Sequence, residues 1–238
     1  MKFSLCVPMY NESSIIEATA KTLSKYMSEN FVDYEILFSD DGSTDGSSDI
    51  VILLALPHVR VLRYEKNRGK GAAVRAAVLA SSGDIVMFTD SDLAYGTEVI
   101  GRVAKIFEEH PEYDAIIGSS NLRKDGYEGY TFLRKLASKI YIKVLCVAGG
   151  LKLSDSQCGC KAFRNNTAKA IFSHCETDGF AFDFEAIMIG TRLGARFFEM
   201  PVKIINHRES KIHVLSDSVK MIGDLRKMKK RVAKLELN

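Results

Sequence analysis

The chain has 238 residues, 46% apolar and 26% charged, with 17 Gly, 4 Pro and no Trp. Those fractions sit near the globular average and exclude disordered, collagen-like and low-complexity chains. With 33 basic against 30 acidic side chains the net charge is +3, too balanced to imply a nucleic-acid partner by itself.

Strand-like and helix-like patterns then alternate. Phe3 to Pro8 is a short apolar run closed by Pro and Asn. Ser14 and Glu17 have capping-box spacing, and Ile16, Ala20, Leu23 and Met27 follow at helical intervals. Tyr34 to Phe38 is a second strand, and DDGSTDGS after it is turn chemistry. A short helix over 48–56 ends at Pro57. Val59 to Tyr64 is a third strand, and Gly71 to Ser81 a helix rich in Ala and Val. Asp84 to Thr89 is a fourth strand, stopping at DSD; a helix over 99–109 and a fifth strand, Ala115 to Gly118, follow. Apolar strands alternating with helices predict an α/β fold with a parallel sheet covered on both faces. The polar clusters NE, DDGSTDGS, KNRGKG and DSD each follow a strand. They therefore gather at one sheet edge, where such folds bind ligands.

The residue types narrow the chemistry. Asp90 and Asp92 can share a hard divalent cation through oxygen ligands; the same pair also suits a solvated turn or a helix cap. Lys66 to Gly71 opens a helix with glycines and cations, an arrangement that suits phosphate or a plain basic loop. Neither the P-loop nor the GxGxxG spacing is present, which argues against hydride transfer. Asp40, Asp41 and Asp45 can accept hydrogen bonds from a nucleobase or ribose, or simply build a turn. Cys158, Cys160, His174 and Cys175 lack the spacing of zinc pairs. An odd cysteine count of 5 argues against a disulfide framework and for a reducing, cytoplasmic compartment.

No apolar run approaches the roughly 20 residues that span a bilayer, and the opening KFSLCVPMYNE lacks the features of a secretory leader. Residues 132–147 instead repeat Phe132, Leu136, Ile140 and Val144 beside Lys135, Lys139 and Lys143. The tail sets Arg226, Lys227, Lys229, Lys230, Arg231 and Lys234 among Met221, Leu225 and Met228. Both read as basic amphipathic helices suited to an anionic membrane surface; the alternatives are a surface helix packed on the core for 132–147 and a solvated helix for the tail.

VPMYNE, DDGSTDGS, NRGKGAAV and DSD, in that order, resemble glycosyltransferase family 2. Arg123, Arg134, SDSQCGCKAF, FAFDFE and HRESKI are similar to its branch acting on polyprenyl phosphates, and QCG is closer to the glucosyl-transferring members. The resemblance implies the GT-A fold, a Rossmann-like, mostly parallel sheet with helices on both faces. It implies one domain over 1–238: a nucleotide-binding half at 1–95, an acceptor half at 96–212 and a basic C-terminal helix at 213–238. Pro8, Tyr10, Glu12, Asp41, Lys70, Asp90 and Ser91 would line the nucleotide site, with Mg²⁺ or Mn²⁺ on Asp90 and Asp92. Arg123 and Arg134, with Arg208, Ser210 and Lys211, would hold the acceptor phosphate, and Asp92, Arg123, Arg134 and Lys211 would carry catalysis. The implied reaction is inverting transfer of a hexose from a nucleotide-sugar, UDP-glucose ahead of GDP-mannose, to dolichyl or undecaprenyl phosphate. The implied location is peripheral, on the cytosolic face of a membrane. The rival enzyme, a transferase to a soluble sugar, would want a base such as Asp183 or Glu185; the non-enzyme rival is an inert nucleotide-sugar-binding scaffold. Departures from the family pattern are Ala94 at a possible third ligand position, Cys160 where Phe is common, and no Trp before FDFE.

Overall fold

The computed structural model describes residues 1–127, 153–206, 225 and 227–235. Its strands are β1 (Phe3–Met9), β2 (Tyr34–Asp40), β3 (Val59–Arg63), β4 (Ile85–Phe88), β5 (Ala115–Ser119), β6 (Lys161–Arg164) and β7 (Phe197–Pro201). Its helices are α1 (Ile16–Asn30), α2 (Ser47–Leu53), α3 (Lys70–Ala80), α4 (Glu98–Glu109), α5 (Asn165–His174) and α6 (Phe182–Arg192). A helical stretch at 227–233 follows. One 7-stranded sheet runs β3-β2-β1-β4-β6-β5-β7.

β1 to β4 pair in parallel, and β5 pairs with β7 in parallel. β6 runs antiparallel to both β4 and β5 and joins the two groups. The five expected strands are present; β6 and β7 were not anticipated. KAFR is four residues with a cation at each end, and FFEMP carries Glu199 and closes on Pro201. Neither gives a long apolar run or a clean alternation, which is the sequence signal for a strand. Pro8 is tolerated in a central strand because β4 pairs β1 only through Cys6, so that side needs no amide from residue 8.

Alternation along the strands builds two cores. Leu5, Val7, Ile36, Phe38 and Met87 face α1 and α4, whose Ile16, Ala20, Leu23, Met27, Val103 and Phe107 are buried with them. Cys6, Leu37, Val86 and Phe88 face the opposite layer of α3, α5 and α6. A one-residue slip in register would exchange the two sets. Phe88, Phe163, Phe172 and Phe182 stack across β4, β6, α5 and α6 at centroid distances of 5.7 to 6.5 Å. Each such buried ring contributes roughly 2–3 kcal/mol.

Two local expectations change. Ser14 does not cap α1: the helix begins after Ile15 with no side-chain cap. The Ile15 and Ile16 amides donate to the Glu12 carbonyl instead, and Glu17 pairs with Lys21 at 2.6 Å. The C-terminal helix is also not a free amphipathic element. Leu225, Met228 and Val232 are buried in the core cluster of α3, α5 and α6, so its apolar face is spent on the protein and its basic face is what remains. The helix expected over 132–147 lies outside the described residues, as does Arg226. Among the described residues no helix is long and apolar enough to cross a membrane.

Candidate active site

Four strand-to-helix loops meet at the carboxyl edge of the sheet. The loops after β1 and β2 are laced together. The Asn11 amide donates to Ser43 Oγ, the Glu12 amide to Ser47 Oγ and the Ser13 amide to Asp45, each at 2.9 Å. Asn11 returns an acceptor to the Thr44 amide, in a left-handed backbone conformation (φ 51°) that Asn tolerates. Pro8 is buried at the strand end, and Tyr10 stands 41% exposed beside it, an aromatic face open to a ligand.

Asp41 organises the third loop. Its carboxylate accepts the amides of Arg68 (2.9 Å) and Gly69 (2.7 Å) and the side chain of Asn67 (2.8 Å). Asp41 is 2% exposed, so it acts as a frame for the loop as much as a wall of any nucleoside pocket. The start of α3 is not an open phosphate site. The amides of Gly71 and Ala72 donate to the Asp178 carbonyl at 2.7 and 3.2 Å. A Cβ at Gly69 or Gly71 would collide with the 177–178 backbone, which requires glycine there. The loop therefore brings the side chain of Lys70, not a helix terminus, to the cleft.

Lys70 Nζ lies 2.5 Å from Asp90 Oδ1. Burial works against the Lys70 ammonium, but the charges of Asp90, Asp183 and Asp92 outweigh it and raise its pKa above the ordinary value. Asp90, Ser91 and Asp92 form a tight turn in which Leu93 has φ 50°. Ser91 is buried, its carbonyl held by Thr19 Oγ1 at 2.7 Å. Asp92 Oδ1 accepts the Ala94 amide at 3.0 Å. Behind Asp90 sits Gly159, where a Cβ would overlap the Asp90 carboxylate.

The donor set fits a hard divalent cation. The Asp90 carboxylate already holds a lysine ammonium and the Asp92 charge acts on the same ammonium, and Mg²⁺ typically takes one or two protein carboxylates with phosphate and water completing its shell. Among the described residues no cluster of three or more His, Cys, Asp or Glu is poised for a metal. Ala94, at the possible third ligand position, serves through its backbone. Its carbonyl accepts the amides of Ile205 (2.8 Å) and Asn206 (3.3 Å).

A strap over 202–206 joins this turn to the segment that follows β5. The Val202 amide reaches the Ser119 carbonyl, that of Ile204 reaches Gly126, and Asn206 Nδ2 donates to the Asp92 carbonyl at 3.0 Å. Arg123 stands on the exposed turn before Gly126, in a two-pronged pair with Asp125, both bonds 2.7 Å. Arg134, Arg208, Ser210 and Lys211 lie outside the described residues, but the strap delivers the chain to residue 206 beside Asp92.

Several residues escaped the sequence reading. Asp155, in SDSQCG, is 4% exposed and accepts the amides of Gln157 and Ser120; burial raises its pKa to about 6. Lys161 is fully buried and donates to the Cys158 carbonyl (2.6 Å) and to Asp183 (2.5 Å). Burial raises the Asp183 pKa while Lys161 and Lys70 pull it back. Tyr95 OH accepts the Gly159 amide at 3.3 Å. The stretch SDSQCGCKAF contains Asp155 and Lys161, but spacing alone does not show that they face inward.

Glu185 is not a base facing the cleft. One oxygen accepts the amides of Glu176 (2.9 Å) and Thr177 (2.7 Å), and the other pairs with Arg231. Cys158 and Cys160 are buried thiols; burial raises the pKa of both, Cys160 to about 12, so they pack rather than attack.

Comparison with known proteins agrees with this fold. The chain is 29% identical to a dolichyl-phosphate beta-glucosyltransferase of Dictyostelium discoideum, over 93% of this chain and 72% of that protein. It is 31% identical to one of Trichomonas vaginalis, over 92% of this chain and 68% of the relative. In structure it is similar to glucosyl-3-phosphoglycerate synthase from Mycobacterium tuberculosis in complex with UDP, with a TM-score of 0.71 at 20% identity, covering 99% of this chain and 81% of that one. The same enzyme in complex with Mn²⁺, UDP-glucose and glycerol 3-phosphate also superposes with a TM-score of 0.71. These neighbours have the GT-A fold. Residues 4–172 match the family model for glycosyl transferase family 2, and with the loops gathered at one sheet edge as that fold requires, the chain belongs to glycosyltransferase family 2.

Proposed function

We propose that the protein is an inverting glucosyltransferase that moves glucose from UDP-glucose to a polyprenyl phosphate such as dolichyl phosphate. The reading divides the chain into a nucleotide-binding half at 1–95 and an acceptor half at 96–212. The observation that carries it is the meeting of Lys70 with Asp90, beside Asp92, at the carboxyl edge of the sheet. A cation and two carboxylates there suit a departing diphosphate. The names of the relatives supply the sugar and the lipid.

A phosphate monoester has a second pKa near 6, so the acceptor is largely ionised near neutral pH and needs little help from a base. Charge and placement carry the work. Lys70 offers its ammonium to the leaving phosphates. Tyr10 stacks on the nucleobase, and Asp41 holds the loop that presents Lys70. Arg123 exchanges Asp125 for the acceptor phosphate, and Arg134, Arg208, Ser210 and Lys211 are its further candidate ligands. Asp90 and Asp92 would hold Mg²⁺ or Mn²⁺, which when bound supplies charge neutralisation at the diphosphate. In-line attack on an α-linked donor gives a β-linked product. The protein then works peripherally, at the cytosolic face of the membrane that holds the acceptor's tail.

Labelled sugar transfer into organic-extractable lipid tests this. UDP-glucose with dolichyl phosphate should give lipid-linked glucose, and Asp92→Ala should abolish it. Preferential transfer from GDP-mannose, or unchanged turnover by Asp92→Ala with Mg²⁺, overturns the reading.

A further inference from the structure

We propose that Arg231, in the C-terminal helix, is a positioning residue for the loop that carries Lys70, acting through Glu185. The chain of contacts is continuous. Arg231 pairs with Glu185, which is 1% exposed, and binds Glu176 at 2.9 Å and the His174 carbonyl at 3.2 Å. The far oxygen of Glu185 holds the amides of Glu176 and Thr177. The next residue, Asp178, seats the third loop from both ends. Its carbonyl caps the Gly71 and Ala72 amides, and its carboxylate takes Arg68 (3.2 Å) and Arg75. Lys70 stands between those anchors and reaches Asp90.

Charge makes the link stiff. A buried carboxylate that loses its cation is strongly destabilised. Without Arg231, the buried Glu185 carboxylate is left with the two amides alone, and a shift toward solvent loosens its grip on them. Glycine packing transmits the shift, because the 177–178 backbone fills the space above Gly69 and Gly71. The helix itself is fixed by Leu225, Met228 and Val232 in the core, and Arg192 ties its end through the carbonyls of Ala233 (2.7 Å) and Leu235 (2.8 Å). A segment that reads as a membrane-facing tail is thus also a wedge behind the donor site.

Amide hydrogen exchange on the ligand-free full chain tests the link without assuming any substrate. Arg231→Ala should accelerate exchange of residues 68–72 and 176–177 at least tenfold, leaving β1 and β2 protected. Arg231→Lys, which keeps the charge and guards against loss of fold, should give a smaller acceleration at the same amides. Acceleration confined to 176–177, or none in either variant, overturns the proposal. A kinetic arm rests on the proposed function: with UDP-glucose, Arg231→Ala should raise the donor KM about tenfold with the acceptor KM within twofold. Equal changes in both KM values overturn the link. Absence of transfer by the unaltered protein would count against the proposed reaction, while the exchange result still decides the role of Arg231.

Discussion

Gly159 shows how little room the cleft leaves. Its missing side chain is the space that the Asp90 carboxylate occupies. Gly159→Ala should therefore push Asp90 off Lys70 while leaving the sheet intact. The expected outcome is a loss of transfer on the order of 100-fold with little change in thermal midpoint, read by activity and melting side by side. Asp155 makes a second prediction, in pH. Burial lifts its folded pKa from 3.8 to about 6. For a raised carboxyl the folded state binds the extra proton, so its contribution to stability is present below about pH 4 and is lost as pH rises through 6. Asp155→Asn removes that dependence. Relative to the parent it should gain on the order of 2–3 kcal/mol between pH 4 and pH 7 in denaturant unfolding; a constant difference across that range would contradict the assignment.

Among the elements, the opposite edge of the sheet is held by Glu35. Burial pushes its carboxyl up, but hydrogen bonds from Ser4, Ser82 and Arg60 outweigh this and hold it at about 2. Those donors come from β1, from the turn before β4 and from β3. A depressed carboxyl stabilises above its unfolded value, near 4.5, and the gain is lost as pH falls through 2. Glu35→Gln should cost about 2 kcal/mol at pH 7, the gap closing between pH 4.5 and pH 2 when unfolding is followed by circular dichroism. β1 to β5 were legible in the sequence because apolar runs such as SLCV and IVMF announce buried strands, and Ile16, Ala20, Leu23 and Met27 announce one helix face. β6 was not, because its buried Lys161 looks like a surface residue until Asp183 is seen beside it. In the site, Asp90, Asp92 and Lys70 were legible from their position after strands. Glu185 was misleading, since its partners lie in a distant helix and in backbone amides that no motif encodes.

For the whole molecule, the docked C-terminal helix changes how a membrane would be met. With Leu225, Met228 and Val232 buried, what this helix offers a membrane is electrostatic, through exposed positions such as Lys227 and Lys230, each worth roughly 1 kcal/mol near an anionic surface. Lys227→Glu with Lys230→Glu should lower binding to anionic vesicles at least tenfold, and salt should weaken the parent's binding; equal partitioning onto neutral vesicles would refute it. The reversed β6 strand, lying between β4 and β5, has its own consequence for synthesis. On the ribosome, β1 to β4 emerge first, yet their sheet cannot join β5 until residues 161–164 arrive to separate them. A nascent chain halted before that point keeps the backbone edge of β4 open to any passing strand. Translation through this stretch is thus an interval in which an open sheet edge invites chaperone cover.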